Sequence, residues 1–183
     1  MAALRRNIAV SVLFTVFGGP AIVLVFVPLA ITHFRLPAGA PRWQALAADL
    51  LIVAGLVPLL ESIWRFIVVG RGTLVPVMPP EHLVVSGLYR YVRNPMYVGV
   101  LVVIAGESLL FRNRAMVIHL VAVCVAFNLF VRLYEEPKLT ATYPAEYQRY
   151  QSHVPRWWPR RTPWKEQGNQ DWNLSGPASV QGK

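Results

Sequence analysis

Four apolar stretches divide this chain, and together they confine it to a membrane. They run over residues 8–31, 45–69, 96–111 and 115–134. A helix needs about 20 apolar residues to cross a bilayer. In lipid an isolated helix satisfies its own backbone, which a loop or an open sheet cannot do. The sequence therefore predicts an all-α, polytopic membrane protein with about four transmembrane helices. The third stretch is the shortest, which predicts little tilt or partial shielding by protein.

The net charge of +9 invites a nucleic-acid partner, but its distribution argues for a membrane surface instead. Arg5 and Arg6 precede the first stretch, and Arg65, Arg71, Arg90 and Arg93 lie between or beside the second and third. A further group from Arg132 to Lys183 ends or follows the fourth, leaving Arg35, Arg42, Arg112 and Arg114 for the other face. An excess of Lys and Arg on one side sets orientation. Both termini and the middle loop are therefore expected to be cytoplasmic, with the basic surface against anionic headgroups. Cys124 is the single cysteine and lies inside the fourth stretch, so there is no disulfide framework.

Three parts follow: residues 1–69 as a pair of transmembrane helices, 70–165 as a core with a helical hairpin and an interfacial helix, and 166–183 as a polar, disordered tail. Asn94-Pro95 reads as a helix start, with Asn at the N-cap and Pro at the first helical position. Only Arg112-Asn113-Arg114 joins the third and fourth stretches, so these should pack as a tight antiparallel hairpin. That places Arg93 beside Glu135 and Glu136 in space. Beyond Pro137, tyrosines at 143, 147 and 150 share one face of a helix.

Each charged cluster admits two readings. Glu135 and Glu136 are expected at a helix C-terminus, where the helix dipole disfavours anions. They are either a solvated pair balanced by Arg132 and Lys138 or the seat of a cationic ligand. Arg90 and Arg93 either snorkel to headgroups or serve that same site. Glu61 and Glu107 lie in or near apolar stretches, where an ionisable group is expensive and often functional. His33 and His119 have no companions at metal-ligand spacing, so no metal is expected. No nucleophile motif is present.

The cassette Leu83-Val84-Val85-Ser86-Gly87-Leu88-Tyr89, then Arg93-Asn94-Pro95-Met96-Tyr97-Val98-Gly99, then Glu135-Glu136, Tyr147, Tyr150 and Val154-Pro155-Arg156, resembles the isoprenylcysteine carboxyl methyltransferase family and the related phospholipid methyltransferases. These are integral membrane enzymes that use S-adenosyl-L-methionine. The resemblance spans roughly residues 70–161 and leaves the first two helices without a diagnostic feature. It implies a cofactor site lined by Leu83, Val84 and Tyr89, centred on Arg93, Asn94, Pro95, Met96 and Tyr97, and closed by Glu135 and Glu136. Arg132 would face a lipophilic substrate. Gly70 and Gly72 match loosely a Gly-x-Gly of the phospholipid branch.

The family's Arg-His-Pro is Arg93-Asn94-Pro95 here. Asn hydrogen-bonds but does not titrate near neutral pH, so a base at that position is in doubt. Arginine can hold the cofactor carboxylate with two parallel bonds, and tyrosine rings can favour its sulfonium. A carboxylate acceptor needs no base, whereas an amine or a thiol does. Two alternatives stand beside this expectation. One is an NADPH-dependent sterol-type reductase, against which Val100 counts because those enzymes place Glu there. The other is a membrane protein without enzymatic activity.

Overall fold

The computed structural model describes residues 19–33, 35, 39–68 and 83–165, without the side chains of 66–68. Residues 8–18 of the first apolar stretch, the Gly70-x-Gly72 loop and the tail from 166 lie outside the described residues. Among the described residues all regular structure is helical. We label the helices α1 (Gly19–Ile31), α2 (Arg42–Val68), α3 (Pro95–Phe111), α4 (Arg114–Thr142) and α5 (Pro144–His153), with a short 3₁₀ turn at Gly87–Arg90. α2 and α4 are long and apolar enough to cross a membrane; α1 and α3 are apolar but shorter.

The outward faces suit lipid rather than water. Leu46, Leu50, Val53, Val57, Leu60 and Trp64 alternate at steps of four and three along α2, and all are exposed. Val117, Ile118, Val121, Val125 and Leu129 likewise line one exposed side of α4, with Ile118 69% exposed. A continuous apolar stripe of this size marks a surface that meets something other than solvent. Trp43 and Trp64 are exposed toward the two ends of α2. At 1.5 Å per residue they stand about 31 Å apart, the thickness of a hydrocarbon core, where interfacial tryptophans belong.

α2 and α3 run antiparallel in close contact. Gln44 donates to the Leu109 carbonyl at 2.7 Å at one end. In the middle, a Cβ on either Gly55 or Gly99 would come within 2.6 Å of the other's carbonyl oxygen, and Gly106 lies as closely against Ala48. In lipid, apolar surface gains little by leaving its solvent, so helices associate through such close approach. The core between them is Leu59, Val100, Ile104 and Val123, with Met96 and Phe127 packed against it.

The hairpin of α3 and α4 forms as expected. Arg112 takes a left-handed conformation (φ 53°), and Asn113 caps α4 by accepting from the Ala115 N–H at 2.9 Å. Asn94 does precede α3, but its side chain makes no capping bond.

One expectation is overturned. Glu135 and Glu136 do not end the fourth helix, because α4 continues through Pro137 to Thr142. Residues Val131–Glu135 form a π turn, in which the Glu136 N–H bonds the Val131 carbonyl five residues back. Proline lacks an N–H and its ring collides with the carbonyl four residues earlier. A widened turn just before it relieves that collision. The same device recurs in α1, where the π turn Ile22–Phe26 directly precedes Val27-Pro28. The conflict with the helix dipole therefore does not arise at this pair.

Candidate functional site

The 3₁₀ turn, the start of α3, the π turn of α4 and α5 all meet at one end of the bundle. Tyr97, in the first turn of α3, donates to Glu135 Oε2 at 3.0 Å, and its ring lies against Phe127 with centroids 4.5 Å apart. Arg93 Nη1 meets Glu136 Oε1 at 2.9 Å and also donates to the Tyr147 hydroxyl at 3.3 Å. Both charged side chains are about nine-tenths buried. Arg93 Nε is buried with no partner.

Glu136 is held from a second side by Arg156. Its Nε reaches Oε1 and its Nη2 reaches Oε2, each at 2.7 Å. This fork-on-carboxylate geometry is the strong form of the ion pair, and it raises the pKa of the guanidinium. Arg156 belongs to a strap, residues 154–165, that lies along the segment before α3. The Arg93 N–H bonds the Pro155 carbonyl, the Arg160 N–H bonds Tyr91, and the Trp164 N–H bonds Arg90, all at 2.9 Å. Side chains add to this ladder: Arg90 Nε donates to the Trp164 carbonyl and Asn94 Nδ2 to the Arg156 carbonyl.

Under the strap lies a second core of Tyr147, Tyr150, Val154 and Trp164, with Leu83 and Val85 packed against it. The Tyr150 hydroxyl donates to the Tyr89 carbonyl at 2.6 Å. Burial raises the hydroxyl pKa of all three buried tyrosines here; that of Tyr147 is pushed up to about 12, with Glu136 adding to burial and Arg93 opposing it. These hydroxyls stay protonated and serve as neutral hydrogen-bonding groups.

The structure thus gathers Tyr89, Arg93, Asn94, Tyr97, Glu135 and Glu136 at one end of the molecule. Val84 and Pro95 are buried there, whereas Met96 turns into the core between helices. Arg132 sits exposed on the π turn. The sequence alone assigned no role at the site to two contributors, Arg156 and Tyr147. Arg156 was read as one of several interfacial cations, although Val154-Pro155-Arg156 was part of the resemblance. Tyr147 was seen as a helix face without a partner. The pair Glu61 and Arg65, joined at 2.7 Å on α2, lies against Gly87. Among the described residues no group of His, Cys, Asp and Glu is placed to hold a metal.

A family model, that of the phospholipid methyltransferases, matches residues 43–146, more than half of the chain. The match begins near the start of α2, so that helix belongs to the shared region, which the resemblance had confined to residues from about 70. It ends within α5, before the strap. No curated protein and no solved structure gives a match.

Proposed function

The chain belongs to the phospholipid methyltransferase family, and from that membership we propose that it transfers a methyl group from S-adenosyl-L-methionine to the headgroup of a membrane lipid. The observation that carries the cofactor assignment is the donor set at the end of the bundle. Arg93 keeps a buried, unpartnered Nε, and among the described residues only Tyr97 hydrogen-bonds Glu135. A buried unpaired donor is costly, and a carboxylate nearby that Tyr97 engages at one oxygen suits a zwitterion that carries both a carboxylate and an ammonium. When bound, the cofactor supplies an electrophilic methyl group on a sulfonium.

In this reading Arg93 binds the cofactor carboxylate and Glu135 its ammonium or ribose hydroxyls. Glu136 holds Arg93 in place, with Arg156 as its counterweight. Tyr89 and Tyr97 offer aromatic faces to positive charge. Leu83, Val84, Pro95 and Met96 furnish the apolar surround, and the strap excludes water, which favours a displacement whose charge is neutralised as it proceeds. Arg132, exposed on the π turn, faces the lipid phase. Asn94 holds the strap rather than a proton.

Four spans, with both termini and the site cytoplasmic, complete the proposal, on the strength of the one-sided excess of arginine. Single cysteines at Pro41 and Gln151, placed in a Cys124→Ala background, should label from opposite faces of sealed cells. Labelling from the same face would rule this topology out. For the activity itself, calorimetry on purified protein should show binding of S-adenosylhomocysteine and none of NADPH. The reverse would select the reductase alternative, and no binding of either would leave a protein without this chemistry.

A further inference from the structure

An amine acceptor must lose a proton before it can attack, and Asn94 cannot take it. The described carboxylates leave one candidate. Glu136 is saturated by two arginines, Glu135 is held by Tyr97, and Glu146 is exposed on α5. Asp49 and Glu107 lie toward the other ends of α2 and α3. Glu61 remains, on the second turn from the end of α2.

Its surroundings are built around the carboxylate. Arg65 Nε holds Oε1 at 2.7 Å, which fixes the plane of the group. Oε2 is buried and has no hydrogen-bond partner. A buried carboxyl oxygen left orphaned in this way is expensive, and it makes sense where a ligand supplies the donor. Gly87 covers the pair with φ +58°, and a Cβ there would run into Glu61 Oε1 and come within 2.6 Å of Arg65 Nε. Next along the chain, Ser62 is fully buried, and the Tyr89 hydroxyl hydrogen-bonds it within electrostatic reach of both Glu61 and Glu135. Glu61 thus adjoins the candidate cofactor site from the side of α2.

We propose that Glu61 receives the methyl acceptor, its free Oε2 holding the acceptor's ammonium and taking a proton from it. The inference rests on the methyltransferase reading and sharpens it: the acceptor is a nitrogen of an aminolipid headgroup, since a carboxylate acceptor would be repelled. The N–H bond breaks with its electron pair left on nitrogen, and an O–H bond forms at Oε2. That pair bonds the incoming methyl group, the positive charge lost by the sulfonium reappears on nitrogen, and the proton leaves to water with the product. Arg65 is a positioning residue that keeps Oε2 turned toward the acceptor.

The test uses the purified full chain in detergent, with short-chain phosphatidylethanolamine as the acceptor probe. Calorimetry of the cofactor-free protein should show Glu61→Gln binding this probe at least about tenfold more weakly, a loss of one charged contact. Binding of S-adenosylhomocysteine should be unchanged in the same variant. Methyl transfer should fall about a hundredfold, the lower range for loss of a general base, and Glu61→Asp should recover part of it. Glu107→Gln, which removes the other carboxylate of the apolar region, should leave all three readouts at wild-type levels. Wild-type behaviour of Glu61→Gln would overturn the proposal. So would equal loss of S-adenosylhomocysteine binding, which would make Glu61 part of the cofactor site or the fold. A wild-type protein that methylates an isoprenylcysteine carboxylate and not the amine would overturn the role of Glu61 and keep the methyltransferase. Failure of the wild type to bind S-adenosylhomocysteine at all would instead remove the reading beneath both.

Discussion

Arg156 meets Glu136 with both arms of its guanidinium fork, Nε on Oε1 and Nη2 on Oε2 at 2.7 Å each, across 20 residues of sequence. Because Arg93 shares the same Oε1 at 2.9 Å, one carboxylate ties α4, the start of α3 and the strap together.

Removing that carboxylate should therefore cost more than removing either arginine. Glu136→Gln leaves two guanidinium groups facing a neutral amide, and loss of one partner from a buried pair typically costs about 3–5 kcal/mol. Arg156→Met leaves Glu136 with Arg93 and should cost clearly less. Thermal unfolding in detergent gives the ranking. Hydrogen exchange at the amides of Arg160 and Trp164 should quicken in both variants. Equal and small effects would mean that the strap is held by its backbone ladder alone.

Arg93→Lys should weaken S-adenosylhomocysteine binding by roughly 1.5–3 kcal/mol, the scale of a hydrogen bond to a charged group. Lys keeps the charge but not the fork. That corresponds to roughly a ten- to hundredfold change in Kd. Arg90 is no neutral control, because its Nε donates to the Trp164 carbonyl. Arg161, exposed on the strap, serves instead. If Arg93→Lys and Arg161→Lys behave alike in calorimetry, Arg93 is an anchor and not a cofactor ligand.

Gly99→Val should separate α2 from α3. Its Cβ would stand 2.6 Å from the Gly55 carbonyl oxygen and 2.9 Å from the Leu59 nitrogen, and backbone atoms cannot turn aside. Overpacking of this kind costs about 1–3 kcal/mol. The variant should melt earlier in detergent, whereas Val57→Leu on the exposed stripe should not. A Gly99→Val protein as stable as the wild type would show that the helices do not approach this closely.

Alkali should unfold the strap region before ionising its tyrosines. The folded pKa of Tyr147, pushed up to about 12, lies above the value for a free tyrosine, so the folded state keeps its proton longer. Stability from this source is complete below pH of about 10 and is lost as pH rises from there to about 12. Tyrosinate absorbance should show the buried hydroxyls of Tyr89, Tyr147 and Tyr150 titrating together with loss of structure. Smooth titration in a protein that stays folded would contradict their burial.

The hairpin was legible because its determinants are local: a Pro at the first position of α3, a three-residue link and two apolar stretches. The proximity of Arg93 to Glu136 followed from that link alone. Arg156 was not legible as a partner, since its contact depends on how residues 154–165 fold back over residues 90–94, and a basic, tryptophan-rich segment reads equally well as a membrane anchor. The continuation of α4 was hidden by Pro137. Proline ends most helices, and nothing in its neighbours announces that the turn before it has widened. Glu61 was visible as an awkward charge, but its setting depends on Gly87, more than twenty residues away and joined to it only by packing.

The widened turn in α4 also changes which way the helix looks. Buried positions run 116, 123 and 131, then step by five to 136. With ordinary winding, a residue at 136 would be rotated by about 100° from where it now points. The extra residue resets the phase of the helix between its two tasks. Above the turn its inward side is chosen for neighbouring helices; below it, the inward side carries Glu136 to Arg93 and Arg156. Two sequence patterns that could not share one uninterrupted helix can each be tuned by themselves. Winding these same residues as an ordinary α-turn, with none removed, would leave every side chain of the site in the chain and turn Glu136 away from Arg93 and Arg156.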